Sequence, residues 1–191
     1  MRICLYGASS NDLDKVYLND VYALGQELAG RGHSLVYGGG AQGVMGAAAR
    51  GVRDGGGAVL GVAPDFFNVD GILYDGCTQF IYTKTMRERK QIMEEQADAF
   101  ILAAGGIGSF EEFFEILTLK QLGRHNKPIA VLNTNGYYEP MQQMMRNTVA
   151  QGFARAACLE IYRLFDSGTA LLDYLERYDP SAIDVRHLKN I

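Results

Sequence analysis

Ala99-Phe100-Ile101-Leu102-Ala103-Ala104-Gly105-Gly106-Ile107-Gly108-Ser109-Phe110-Glu111-Glu112 decides the fold. A short, wholly apolar run over 99–103 enters a glycine-rich turn, and the turn opens into a helix-like stretch. A run that short, without polar alternation, reads as a strand covered on both faces, the habit of parallel sheets. The glycines leave bare backbone N–H groups at a helix N-terminus, a geometry suited to phosphate. Glu112 adds something a plain phosphate cradle does not need. A carboxylate beside the anion points to chemistry on the sugar next to the phosphate.

The same grammar occurs upstream. Tyr37-Gly38-Gly39-Gly40-Ala41-Gln42-Gly43-Val44-Met45-Gly46 follows a short apolar run and leads into a helix pattern over 44–52. Outward from the two turns, strand-like runs (3–6, 35–37, 58–63, 79–82, 129–132, 161–164) alternate with helical spacing. The helices are expected over about 13–28, 86–96, up to 122 after the second turn, 138–151 and 169–178. Thr85-Met86-Arg87-Glu88 has the capping-box spacing that starts a helix. Residues 65–76 read as loop, and 179–191 as a polar tail, irregular or packed on a partner subunit. This order predicts an α/β fold: one doubly wound parallel sheet with helices on both faces, a single domain over 1–191. Ligand sites of such sheets lie beyond the carboxyl ends of the strands, where both glycine turns fall.

Composition narrows the function. The chain has 191 residues, 48% hydrophobic and 21% charged, with a net charge of -4, ordinary for a soluble protein. A negative balance argues against nucleic acid as partner. Cys4, Cys77 and Cys158 are odd in number and unpaired in spacing, which reads as reduced thiols in a cytoplasmic protein. No apolar stretch reaches membrane-spanning length, and the start lacks a signal-peptide core, so no membrane partner is expected.

Gly38, Gly40 and Gly43 spell G-x-G-x-x-G, but after the second strand and without the acidic residue expected about twenty positions on, so a nicotinamide dinucleotide is disfavoured. The bland alternative is a tight connection whose glycines only permit close packing. Three consecutive glycines, Gly38, Gly39 and Gly40, exceed what a turn needs, and backbone contact with a phosphorylated ligand is favoured. No G-K-[ST] follows, which excludes a P-loop. In the second turn, Ser109-Phe110-Glu111-Glu112 fits a capping box, so Glu112 could simply cap Ser109. Capping leaves Gly105, Gly106 and Gly108 unexplained, and the functional reading of Glu112 is preferred. Ser109 reads as a phosphate donor at a helix N-terminus. Phe110, Phe113, Phe114 and Leu117 form a stripe that belongs to the core or a subunit interface. Lys84, Arg87, Arg89 and Lys90 form a charge run, usually a solvated face. Arg89, however, shares a face with Ile92 and Met93, which directs it toward a cleft. His33, His125 and His187 are scattered and read as ordinary surface residues; no metal site and no activated triad is expected.

Taken in order, Gly38-Gly39-Gly40-x-x-Gly43-Val44-Met45-Gly46, Met86-x-x-Arg89-Lys90 and Gly105-Gly106-x-Gly108-Ser109-x-x-Glu112 resemble the Lonely Guy family. Its members are cytokinin riboside 5′-monophosphate phosphoribohydrolases, sometimes mislabelled lysine decarboxylases. The resemblance runs from Ile3 to about Phe165. It implies a Rossmann-like fold, a homodimer and hydrolysis of a nucleoside 5′-monophosphate such as AMP to free base and ribose 5-phosphate, with no cofactor. The family's catalytic arginine falls on Arg89, beside Lys90, and its catalytic glutamate on Glu112. Its phosphate and ribose contacts fall on Gly106, Ile107, Gly108, Ser109, Phe110, Glu111 and Glu112, with Gly105 in the same turn. Thr118 matches a further substrate-contact position. Two departures stand out: Ala104 where the family motif has Pro, and Ser109 where it has Thr. The first predicts a looser turn; the second keeps the hydroxyl. Residues 65–76, with Phe66 and Phe67, differ from the family's usual stretch there and bear on base recognition. The alternative is a carrier of a nucleotide or molybdenum cofactor, which has no evident need for the Arg89/Glu112 pair. A homodimer is also expected from the Phe110–Leu117 stripe and the helix carrying Met141, Met144 and Met145.

Overall fold

The apolar runs pair edge to edge because a buried backbone must satisfy its N–H and C=O groups within the sheet. The computed structural model describes residues 1–182. In chain order the elements are β1 (Arg2–Tyr6), α1 (Lys15–Gly30), β2 (Ser34–Tyr37), α2 (Gly43–Asp54), β3 (Val59–Pro64), β4 (Gln79–Thr83), α3 (Met86–Gln96), β5 (Ala99–Leu102), α4 (Ile107–Gln121), β6 (Ile129–Leu132), α5 (Glu139–Ala150), β7 (Arg163–Phe165) and α6 (Gly168–Glu176). The strands form one parallel sheet in the order β4-β3-β2-β1-β5-β6-β7. This is the expected doubly wound α/β architecture.

Alternate strand residues feed two buried layers. Ile3, Leu5, Leu35, Ala99 and Ile101 pack against α1, α2 and α6 through Val21, Leu24, Val44, Val52 and Leu171. Cys4, Tyr6, Val36, Phe100 and Leu102 face the opposite layer, which contains Met93, Phe113, Ile116, Leu117 and Met141 of α3, α4 and α5.

Helix starts follow the sequence. Asp14 accepts from Val16 N (3.0 Å), and Ser167 from Ala170 N (3.4 Å). Thr85 accepts from Glu88 N (3.1 Å), and Glu88 reaches back to Lys84 N (2.8 Å), one residue beyond the usual reciprocal partner.

One expectation needs correction. The last strand starts at Arg163 rather than at 161, because Ile161 and Tyr162 are buried ahead of the ladder and their apolarity reflects burial, not pairing. The loop over 65–76 contains a 3-10 turn, Asp65–Phe67, and Leu73 bridges antiparallel to Gly40. Of the expected tail, Asp179 turns back through its carboxylate to Ser181 N (2.8 Å), while 183–191 lie outside the described residues. No helix among the described residues is long and apolar enough to cross a membrane.

Candidate active site

The chain leaves β1 toward β2 on one side of the sheet and continues from β5 toward β6 on the other. Strand order therefore reverses between β1 and β5, where such folds open a crevice at their carboxyl edge. The second glycine turn follows β5 at this point, and the first follows the neighbouring β2. Ala8, just after β1, ties the two together. Its N–H donates to Ala104 O (3.0 Å), and its carbonyl accepts from Met45 N (3.1 Å).

Between the turns lies a buried ion pair. Thr85 starts α3 so that Arg89 and Met93 face inward. The Arg89 Nε donates to Val62 O (3.1 Å), and Nη1 donates to Glu112 Oε1 (2.6 Å). The two residues are only 6% and 8% exposed. Gly38 makes room for the guanidinium, since a Cβ there would sit 2.0 Å from Arg89 Nη2. Burial pushes the Glu112 carboxyl up, and the charge and hydrogen bond of Arg89 pull it back. Beneath the pair, burial raises the Cys4 thiol to about 12 and the Tyr6 phenol well above its ordinary value. Glu112 does not cap Ser109: the helix is entered from Gly106 with no side-chain cap, and the carboxylate is turned to Arg89.

Three of the first turn's amides are held by residues from elsewhere in the chain. Asn11 Oδ1 accepts from Gly43 N (2.8 Å), Ala8 O from Met45 N (3.1 Å), and Ile72 O from Ala41 N (2.9 Å). Tyr74 N donates to Gly39 O (2.9 Å), which zips the loop onto the turn. Between them runs a cleft of about 280 Å³ whose walls include Ser9, Gly38, Gly40, Met45, Phe67, Ile72, Met86 and Arg89. A larger hollow of about 770 Å³ beside α6 holds none of the candidate residues.

In the second turn the open amides are consecutive and sit at a helix N-terminus. The first helical bond of α4 is Phe110 N to Gly106 O (3.0 Å). Among the described residues, the N–H groups of Ile107, Gly108 and Ser109 have no protein acceptor. Helix N-termini with free amides and a favourable dipole bind anions. Ile107 and Gly108 lie open to solvent, whereas Ser109 is buried, with its Oγ 2.2 Å from where a Cβ on Gly105 would stand.

The remaining candidates diverge. Lys90 pairs with Glu111 and with Glu115 (2.9 Å), bracing α3 against α4. Phe110 is half-buried, edge-on to Tyr138 at 6.1 Å. Thr118 is exposed on the outer face of α4. Phe113, Leu117 and Met141 serve this chain's own core, so the two stripes offer less free apolar surface than their sequence suggested; Met144 remains exposed. His125 is half-buried rather than on the surface, and burial lowers it to about 4. Among the described residues no cluster of His, Cys, Asp or Glu is placed to share a metal ion. Asn11 and Ala8 were missed at the sequence level, since their partners lie over 30 residues away.

Residues 45–175 match the family model described as possible lysine decarboxylase. The chain is 40% identical to a probable cytokinin riboside 5′-monophosphate phosphoribohydrolase of Oryza sativa subsp. japonica, over 96% of this chain and 82% of that one. It is 37% identical to a cytokinin riboside 5′-monophosphate phosphoribohydrolase of Arabidopsis thaliana, over 96% and 86%. Among solved structures, the molybdenum cofactor binding protein from the phototrophic bacterium Rippkaea orientalis superposes with a TM-score of 0.72 at 21% identity, covering 92% of this chain and 94% of that one. The molybdenum cofactor carrier protein of Chlamydomonas reinhardtii gives 0.71 at 21%, covering 95% and 98%. At that identity the structural likeness concerns the fold alone.

Proposed function

The chain belongs to the Lonely Guy family of phosphoribohydrolases, and we propose that it hydrolyses the N-glycosidic bond of a purine nucleoside 5′-monophosphate to free base and ribose 5-phosphate. The observation that carries this reading is the buried Arg89–Glu112 pair (2.6 Å), whose carboxylate lies on the same helix as a row of open amides. A carrier needs the amides but not the pair.

In this reading the phosphate takes the N-terminus of α4, and that remote binding holds the anomeric carbon against Glu112 and water. As the C1′–N bond breaks, its electron pair leaves with the base, and the water oxygen bonds to C1′. Glu112 stabilises the positive charge that develops on the sugar and accepts a water proton. The departing base takes up one proton, so one water is consumed overall. A guanidinium is a fork of donors with no acceptor, so Arg89 orients Glu112 and balances its charge. Burial and Arg89 pull the carboxyl in opposite directions, which suits a group that must be ionised yet willing to take a proton. Met45, Phe67, Ile72 and Met86 line the adjoining cleft and offer a flat base an apolar wall.

The test is to incubate the purified protein with AMP, its isopentenyl derivative and adenosine, and to follow free base and ribose 5-phosphate. Release from the monophosphates and little from adenosine is expected. Tight AMP binding with no base released from any monophosphate would move the assignment to a carrier. We further read the protein as a cytoplasmic homodimer using the outward side chains of α4 and α5, Phe114 and Met144 among them. A monomer by sedimentation at micromolar concentration would refute that.

A further inference from the structure

Three consecutive carbonyls of the second turn are each held by a separate donor. Ala104 O accepts from Ala8 N (3.0 Å). On either side of it, Ala103 O accepts from the Tyr138 hydroxyl (2.8 Å) and Gly105 O from the Tyr137 hydroxyl (2.7 Å). We propose that Tyr137 and Tyr138 are positioning residues for phosphate recognition: their hydroxyls fix the peptide planes of the second glycine turn so that its amides, not its carbonyls, face the anion. The proposal rests on the reading of that turn as the phosphate site.

A trans peptide is planar, with its C=O and N–H pointing in opposite directions, so holding Gly105 O also aims Gly106 N–H. Without that hold, Gly105 and Gly106 have no side chain to restrict rotation of the plane. Ala104 stands where the related motif carries Pro and supplies no ring to stiffen the turn. A carbonyl rotated into the cradle would set a negative dipole against the phosphate, the reverse of what an anion site requires.

The clamp is itself anchored. Tyr138 is 1% exposed; its N–H donates to Asn133 Oδ1 (2.9 Å). Asn133 Nδ2 in turn donates to Glu139 (3.0 Å) and Asp166 (2.9 Å). The Tyr137 ring stands edge-on to Tyr138 at 4.9 Å and to Tyr17 at 5.8 Å. Burial raises the Tyr138 phenol, which keeps it a donor throughout the working pH range. Rigid aromatic side chains held on three sides place their hydroxyls without costly ordering when substrate arrives.

The test is Tyr137→Phe, which removes the hydroxyl and leaves the exposed ring and its packing. KM for AMP and the inhibition constant of ribose 5-phosphate should both rise about five- to tenfold, the scale of one lost hydrogen bond, while kcat moves less than about twofold. If the parent protein prefers AMP to adenosine and Tyr137→Phe leaves both constants unchanged, the clamp is wrong and the phosphate site stands. If the parent treats AMP and adenosine alike, the phosphate site fails and takes the clamp with it. A fall in kcat and melting temperature with KM unmoved would show a merely structural role. Tyr138→Phe leaves Ala103 O buried without its donor, so its melting temperature is read alongside the same constants.

Discussion

The two glycine turns share a sequence grammar and differ in what their backbones do. In the first, Asn11, Ala8 and Ile72 accept from the turn's own amides. Its glycines answer to packing: a Cβ on Gly46 would stand 2.0 Å from Ala41 O, and Gly43 sits at φ +62° with Ala8 O 2.5 Å away. In the second, a Cβ on Gly106 or Gly108 would meet nothing within 4 Å, and the helix amides beyond them are open. The first turn is a wall that admits Arg89; the second carries the amides that the proposed phosphate site uses.

The largest effect should fall where the two turns meet. Glu112→Gln should lower kcat by about a hundredfold or more, the scale of a lost acid–base or electrostatic group. It also strands a buried guanidinium, which costs about 3–5 kcal/mol, so turnover must be read on protein shown by circular dichroism to be folded. The double variant Arg89→Met/Glu112→Leu separates the two effects. It should recover most of the melting temperature and none of the activity, because removing both partners leaves no unpaired charge. Turnover retained in folded Glu112→Gln would end the catalytic assignment.

Gly46→Ala should come next, and should act on the fold. Pushing a methyl into Ala41 O costs about 2–3 kcal/mol, lowering the melting temperature by roughly 5–10 °C, while KM for AMP in the folded fraction changes little. A rise in KM without loss of stability would return the first turn to the phosphate. This contrast was only half legible in the sequence. The succession of strands and helices, the helix starts and the inward turn of Arg89 could be read from periodicity and capping, because those are local. Whether a backbone group of a glycine-rich turn is free depends on residues brought from afar: Asn11, accepting from Gly43 N, lies 32 positions away, and Tyr137, donating to Gly105 O, lies 32 positions away. No local pattern reports such partners, so two turns of like spelling looked equivalent. Nor did any local signal report that Glu112 contacts Arg89, 23 positions away across two elements.

Gly108→Ala is the converse experiment and a gentler one. The added methyl touches nothing in the protein and suits a helix, so stability should hold or rise by about 0.4–1 kcal/mol. On the cradle side it crowds the anion, and KM for AMP should increase by about tenfold, an effect of one lost or lengthened contact. A protein that gains stability and loses phosphate affinity would separate the two turns more cleanly than any loss-of-fold variant. Unchanged KM would mean that the anion does not approach this amide.

The smallest expected effect lies outside both turns and calibrates them. His125 donates to Ile116 O (2.9 Å), and burial, with Lys120 and Lys127 adding to it, lowers its pKa from 6.5 to about 4. Between those values the unfolded chain binds a proton that the folded chain refuses, so this group's contribution is fully present above pH 6.5 and is lost as pH falls toward 4. Because the ring is half-buried, solvent screening should hold the loss to about 1–2 kcal/mol. The quantity to measure is the difference in the slope of unfolding free energy between the parent and His125→Gln over that window. The parent's extra slope should vanish in the variant, and should survive unaltered in Gly46→Ala and Gly108→Ala, whose changes lie at the carboxyl edge of the sheet. If Gly108→Ala also flattened the slope, its effect would be reaching the core through α4, and its raised KM could no longer be ascribed to the cradle alone.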